Sequence, residues 1–222
     1  MSPDMLFNLL LKALSQTLQM VAAAGLIGSL IGLPIGVFLA TSGKGELFPA
    51  PVSNRIIGAI VNAARSTPFI ILVVAIIPFT RLVTGTSIGT YAAIVPLTVA
   101  TIPFVARLVE AAIREVDKGL IEAARAMGAT PLQIVFKVLL AEARPGLTLA
   151  LTLTLVSLVG YSAMVGAVGG GGLGDLGIRY GYQRFMPDVM LAVVVVLIVL
   201  VQAIQSLGDA LARRFDKRSR KT

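Results

Sequence analysis

Long uncharged apolar runs alternate with short charged breaks along this chain of 222 residues. Four runs lie between Lys12 and Lys44, between Arg81 and Arg107, between Arg144 and Asp175, and between Asp188 and Asp209. Each supplies the roughly 20 apolar residues that a helix needs to cross bilayer hydrocarbon. A fifth stretch, Ile56 to Thr80, is apolar but carries Arg65 near its start, and reads as a span with an interrupted, partly wet end. The pattern predicts an all-α, polytopic membrane helical bundle of five spans: about Thr17–Ala40, Ile56–Thr80, Ile88–Val109, Gly146–Val168 and Val189–Leu207. The first span ends in Gly32-Leu33-Pro34-Ile35-Gly36, and helix kinks are expected at Pro68, Pro96 and Pro103, because neighbouring helices can satisfy the backbone groups that proline frees. Met5 to Leu14 reads as an amphipathic segment resting on the outer membrane face. With no internal repeat and no low-complexity linker, one membrane domain over 13–208 and a basic tail over 209–222 account for the chain.

The segment from Arg107 to Arg144 departs from this pattern. It is too long for a turn and rich in charge, yet its periodicity is helical. Glu122-Ala123-Ala124-Arg125-Ala126-Met127 are helix formers, followed by Gly128 where a helix C-terminus would close. Thr130-Pro131-Leu132-Gln133 reads as a capping box with proline in the first turn. The next helix is expected to put Leu132, Val135, Phe136 and Leu139 on one face and to stop before Pro145-Gly146. Two short helices joined by a glycine turn are therefore expected between spans three and four.

Composition sharpens the picture. The chain is 56% hydrophobic and only 14% charged, with mean hydropathy +0.90, so its natural solvent is a bilayer. It has no Cys and no His, which excludes thiol nucleophiles, histidine acid–base chemistry and Cys/His zinc sites. The net charge of +8 does not point to nucleic acid, because the basic residues sit between apolar spans rather than on one soluble face. With the C-terminus cytoplasmic, fifteen Lys and Arg fall inside, against four outside (Lys12, Arg81, Arg179, Arg184). The positive-inside rule thus puts the N-terminus outside, with the tail Arg213, Arg214, Lys217, Arg218, Arg220, Lys221 as a topology anchor. A cleavable signal peptide is not expected, since Asp4 stands where a basic region would precede the apolar stretch.

Glu122-Ala123-Ala124, Gly128, then Val138 and Leu140 resemble the cytoplasmic coupling loop of type I ABC importer permeases, with Ala141 where that family usually has proline. The resemblance implies that Glu122, Ala123, Ala124, Gly128, Ala129, Thr130 and Pro131 engage an ATPase. In this reading the small alanines seat in a partner's groove and Glu122 stands near the positive end of its helix. Five blocks narrow it to the methionine importer permeases: Glu122 to Gln133, Arg65 to Leu72, Gly85-Thr86-Ser87-Ile88-Gly89, Ile94-Val95-Pro96-Leu97-Thr98, and Leu158 to Met164. The family implies a homodimer of this chain, two ATPase subunits that bind ATP and Mg, and an extracytoplasmic methionine-binding protein. No cofactor is then expected in this chain, which acts as the non-catalytic subunit of an ATP-hydrolysing transporter in a bacterial inner membrane. A permease for glycine betaine or another quaternary amine is the alternative within the class.

Other patterns carry less. Gly169 to Gly174 satisfies Gly-x-Gly-x-x-Gly, but it follows a membrane span rather than a strand, so a glycine-rich turn or re-entrant segment is expected. Gly43-Lys44-Gly45 lacks the upstream glycine and following Ser/Thr of a phosphate loop. Ser157, Tyr161, Ser162 and Met164 are candidates for a translocation path along span four, against ordinary packing by small and polar residues. An ion-coupled carrier would place carboxylates or histidine within its spans, and the cores of spans one, three, four and five hold no Asp, Glu, Lys or Arg.

Overall fold

A computed structural model describes residues 3–215 of the chain. In order, the helices are α1 (Pro3–Thr41), α2 (Pro51–Ser66), α3 (Phe69–Ala75), α4 (Ile77–Thr84), α5 (Thr90–Arg114), α6 (Lys118–Ala126), α7 (Pro131–Ile134), α8 (Leu140–Glu142), α9 (Arg144–Gly166), α10 (Gly172–Leu176) and α11 (Pro187–Phe215). Single π-helical turns occupy Val135–Leu139 and Gly177–Tyr182. No strand occurs among the described residues. Four helices, α1, α5, α9 and α11, are long and apolar enough to cross a membrane; the bent pair α2–α3 makes a fifth if it counts as one span.

Two expectations need correction. The amphipathic segment and the first span are one helix, because nothing between Leu14 and Thr17 breaks the backbone ladder. At 39 residues, α1 is ~58 Å long, well beyond the hydrocarbon thickness of about 30 Å. The expected second span, in contrast, divides at Pro68 and again at Ile76. Pro68 has ψ 132°, an extended conformation that closes α2 at Ser66, so this proline is a break rather than a kink. Ile76, at ψ 12°, separates α3 from α4, which takes Pro78 in its first turn and ends on left-handed Gly85 at φ 76°. Pro96 and Pro103 lie inside α5, which continues through both. The tail cations Lys217, Arg218, Arg220 and Lys221 lie outside the described residues, whereas Arg213 and Arg214 belong to the last turn of α11.

The chain forms two compact units. The first takes, among the described residues, 3–28, Thr67–Thr101 and Thr154–Gln205. Its core packs Met20, Val21, Ala24, Phe69, Val73, Leu97, Leu158 and Val159, with a second cluster of Ala13, Leu173, Leu176, Val189 and Val193. The stretch Gly169–Gly172 fits there because three of its glycines take positive φ, and side chains of α1 finish its hydrogen bonds. The Gly172 N–H donates to Gln16 Oε1 at 3.0 Å, and the Leu173 N–H to Thr17 Oγ1 at 2.9 Å.

The second unit takes Ser29–Ser66, Ile102–Leu153 and, among the described residues, 206–215. Lipid tails are as apolar as leucine, so close fit rather than escape from water holds such helices together. Here the fit is made by glycine. Gly32 faces Ile102 and Val105 of α5, and Gly36, four residues on along α1, faces Ala106 and Val109, each four residues on from its counterpart. An added Cβ would stand 2.7 Å from the Ile102 carbonyl oxygen at Gly32 and 2.5 Å from that of Ala106 at Gly36. Gly208 of α11 approaches Thr152 of α9 closely enough that a Cβ would overlap its side chain. Below these contacts, Val109, Ile113, Val116, Ala124, Ile134, Val135, Leu139 and Ala143 make one buried cluster.

Candidate functional site

The charged segment after α5 builds two capped helices. Asp117 caps α6, its carboxylate accepting from the Gly119 N–H at 2.8 Å. At the far end the Gly128 N–H donates to the Arg125 carbonyl at 2.9 Å and the Ala129 N–H to that of Ala124 at 3.0 Å, the paired bonds of a Schellman closure. That closure requires a left-handed residue, and Gly128 has φ +80°. Thr130 and Gln133 then cap α7 reciprocally. The Thr130 N–H donates to Gln133 Oε1 at 2.9 Å and the Gln133 N–H to Thr130 Oγ1 at 3.4 Å, with Pro131 in the first turn.

The faces of this segment differ from the sequence reading in three ways. Glu122 is the fifth of nine residues in α6 and stands clear of its positive end, where Asp117 holds the acidic position. Ala124 is turned inward into the core of its own unit, so only Ala123 and Ala126 of the three alanines face out. On the following helix Val135 and Leu139 are buried, while Leu132 and Phe136 are 61% and 67% exposed. The π-helical turn at Val135–Leu139, with the Leu140 N–H bonded to the Val135 carbonyl, shifts the register that a uniform helix would keep. The helix stops at Glu142, before Pro145 as expected. After Ala143 the chain enters α9 with Pro145 in the first turn, where its missing N–H costs nothing. Met127, Leu132 and Phe136 thereby become an exposed apolar surface beside the Gly128 turn.

The path candidates separate. Ser157, Tyr161 and Met164 recur at steps of four and three on α9 and share a face. Tyr161 stacks on Phe69, the first residue after the break at Pro68, with ring centroids 4.5 Å apart and planes at 17°. Met164 is 48% exposed. Ser162 is buried off that face and donates to the Val159 carbonyl at 2.7 Å.

Sequence reasoning missed a charged network near the end of α5. Arg107 and Arg114 hold the two oxygens of the buried Glu110 carboxylate, at 2.5 and 2.8 Å. Arg107 also donates to the Gly58 carbonyl of α2 at 2.8 Å, and its Nε has no partner. The i, i+3, i+7 spacing of Arg107, Glu110 and Arg114 was the available signal, as Gly-x-x-x-Gly was for Gly32 and Gly36. The Gly169–Gly174 pattern follows helix α9 rather than a strand. No group of three or more metal-ligating side chains occurs among the described residues.

The sequence model of the family described as binding-protein-dependent transport system inner membrane component matches residues 6–221. The probable D-methionine transport system permease protein MetI of Vibrio cholerae serotype O1 is 60% identical over 211 residues, covering 95% of this chain and 94% of that protein. The D-methionine transport system permease protein MetI of Escherichia coli K12 is 56% identical over 166 residues, 75% of this chain and 76% of its own length. A chain of the MetNI methionine ABC transporter, solved in inward-facing conformations, superposes with a TM-score of 0.95 at 53% identity, covering 98% of this chain and 100% of that one. A chain of an amino acid ABC transporter solved with histidines has the same fold, at a TM-score of 0.77 and 23% identity over 94% of each chain.

Proposed function

Because the chain belongs to the family of binding-protein-dependent transport system inner membrane components, and is thereby a multi-pass inner-membrane protein, we propose that it is the permease subunit of an ATP-driven methionine importer. Two copies form the translocation path, two separate ATPase subunits bind and hydrolyse ATP with Mg, and an extracytoplasmic binding protein delivers methionine. The N-terminus lies outside and the C-terminus in the cytoplasm, as the fifteen-to-four distribution of Lys and Arg favours. The membrane domain spans 13–208, and 209–222 form the basic cytoplasmic tail.

One observation carries the reading: two capped helices meet at left-handed Gly128 and leave Met127, Leu132 and Phe136 uncovered. An ATPase groove that takes this apolar corner moves it as a unit. Ala123 keeps the docking face low. Ala124 and Ala129 lock the corner to the core through the closure at Gly128. Thr130 and Pro131 fix where the second helix begins. Glu122 shares its face of α6 with Lys118 and Arg125 and orients that face rather than compensating the helix dipole.

Methionine at neutral pH is a zwitterion with an apolar arm. A relay that must release it quickly needs a weakly polar lining, which Ser157, Tyr161 and Met164 supply, with Ser162 holding the helix behind them. The test is uptake of labelled D- and L-methionine into vesicles holding the permease, its ATPase and its binding protein. ATP-dependent accumulation of methionine is expected. Accumulation of glycine betaine instead would reassign the cargo to quaternary amines.

A further inference from the structure

The apolar helices α1 and α5 end at Thr41 and Arg114, and the turns beyond them enclose, with α6, a cavity of about 490 Å³. Its floor is apolar, made by the buried Leu47, Ile113, Val116 and Leu139. Its rim is cationic: Lys44, Arg114, Lys118 and Arg125 stand against Glu46 and Glu122, leaving two positive charges in excess. Among the described residues Lys44, Lys118 and Arg125 make no ion pair, and Glu110, the carboxylate that holds Arg114, is shared with Arg107.

Depth selects the ligand. The apolar spans close at about Ala40 and Val109, so the cavity, which begins at Ala40 and Ile113, starts within about a turn of the hydrocarbon edge, where headgroups and glycerol lie. A free phosphate would satisfy the rim but leave the apolar floor wet. An anionic phospholipid satisfies both, with its phosphodiester against Lys44, Lys118 and Arg125 and its glycerol and first methylenes on the floor. We propose that this cavity binds the headgroup of an anionic phospholipid. Because Lys118 and Arg125 belong to α6 while Lys44 follows α1, a bound lipid braces α6 against the turn after α1. This site lies beyond the transport reading and does not depend on the identity of the cargo.

The test is native mass spectrometry of the purified, delipidated full chain titrated with phosphatidylglycerol, with phosphatidylcholine, and with inorganic phosphate. Wild type should retain phosphatidylglycerol in preference to phosphatidylcholine. Each of Lys44→Gln, Lys118→Gln and Arg125→Gln should weaken that retention about fivefold, the usual scale for one basic residue near an anionic surface. Glu46→Gln should strengthen it by a similar factor, a change that misfolding cannot produce. Lys12→Gln, outside the cavity, should leave it unchanged. Equal retention of the two lipids, or retention indifferent to the three cation substitutions, would overturn the proposal. Displacement of phosphatidylglycerol by millimolar phosphate would overturn the lipid and assign the rim to free anions.

Discussion

Gly36 and Val109 pack with no room for a side chain between them: a Cβ on Gly36 would lie 2.6 Å from the Val109 Cβ. The same addition would meet the Ala106 carbonyl oxygen, which belongs to helix backbone and cannot swing away. Gly36→Ala should therefore destabilise the folded chain by about 1–3 kcal/mol, the usual scale of overpacking. Gly160→Ala should be neutral, because nothing lies within 4 Å of its added Cβ. Thermal unfolding of the two purified variants in detergent checks the contrast. Equal midpoints would remove the claim that α1 and α5 depend on this contact.

Gly128 poses the opposite case. Nothing lies within 4 Å of its added Cβ, so any cost of substitution comes from its φ of +80° alone. Gly128→Val should strain the Schellman closure by about 1–2 kcal/mol and lower ATP-driven uptake at normal abundance. Gly128→Asn, which tolerates the left-handed region, should retain most of it. If Asn and Val behave alike in uptake assays at matched expression, the turn's conformation is not what the coupling corner requires.

These two glycines also show what the sequence made legible. Gly128 was readable because its neighbours announce it: helix formers end there, and Thr130 to Gln133 spell a capping box, all within twelve residues. Local chemistry of that kind survives into the structure intact. Gly36 matters through a helix some seventy residues away, and Gly-x-x-x-Gly does not name its partner. The single face expected for Leu132, Val135, Phe136 and Leu139 divides for a related reason, with Val135 and Leu139 turned inward and Leu132 and Phe136 exposed. A π-helical turn adds one residue to a turn, and no residue type in Val135–Leu139 marks it. Pro68 was seen, but whether a proline kinks a helix or ends it depends on the residues packed around it, as the contrast with Pro96 and Pro103 shows.

Glu110 joins two arginines near the end of α5, where Arg107 in turn holds the Gly58 carbonyl of α2. Glu110→Leu leaves Arg107 facing Arg114 without a counter-charge. It should cost about 3–5 kcal/mol, as expected when one partner of a buried pair is removed. The double variant Glu110→Leu with Arg107→Met should recover much of that loss, since Arg114 is 59% exposed and can find water. A double-mutant cycle on unfolding midpoints reads the coupling directly. Additive effects in the cycle would mean that the network contributes nothing as a unit.

The last prediction separates Met164 from Ser162 on the same helix. Met164 is 48% exposed and shares its face with Ser157 and Tyr161, whereas Ser162 is buried and bonded to the Val159 carbonyl. Tyr161 is held in place by its stack on Phe69, so the face keeps its orientation where the second span breaks. The native chain has no Cys, so an introduced thiol is the only one in the permease. Met164→Cys should react with a small hydrophilic thiol reagent in the assembled transporter, and its rate should change when ATP is supplied. Such a change follows if the helices that border the path move during the cycle, because reaction of a thiolate requires water at the site. Ser162→Cys should stay unreactive with or without ATP. If Met164→Cys is unreactive under every nucleotide condition, Met164 leaves the path. If Ser162→Cys reacts instead, the water-filled face of α9 is the one that carries Val159 and Ser162, and Ser157 and Tyr161 lose the lining role.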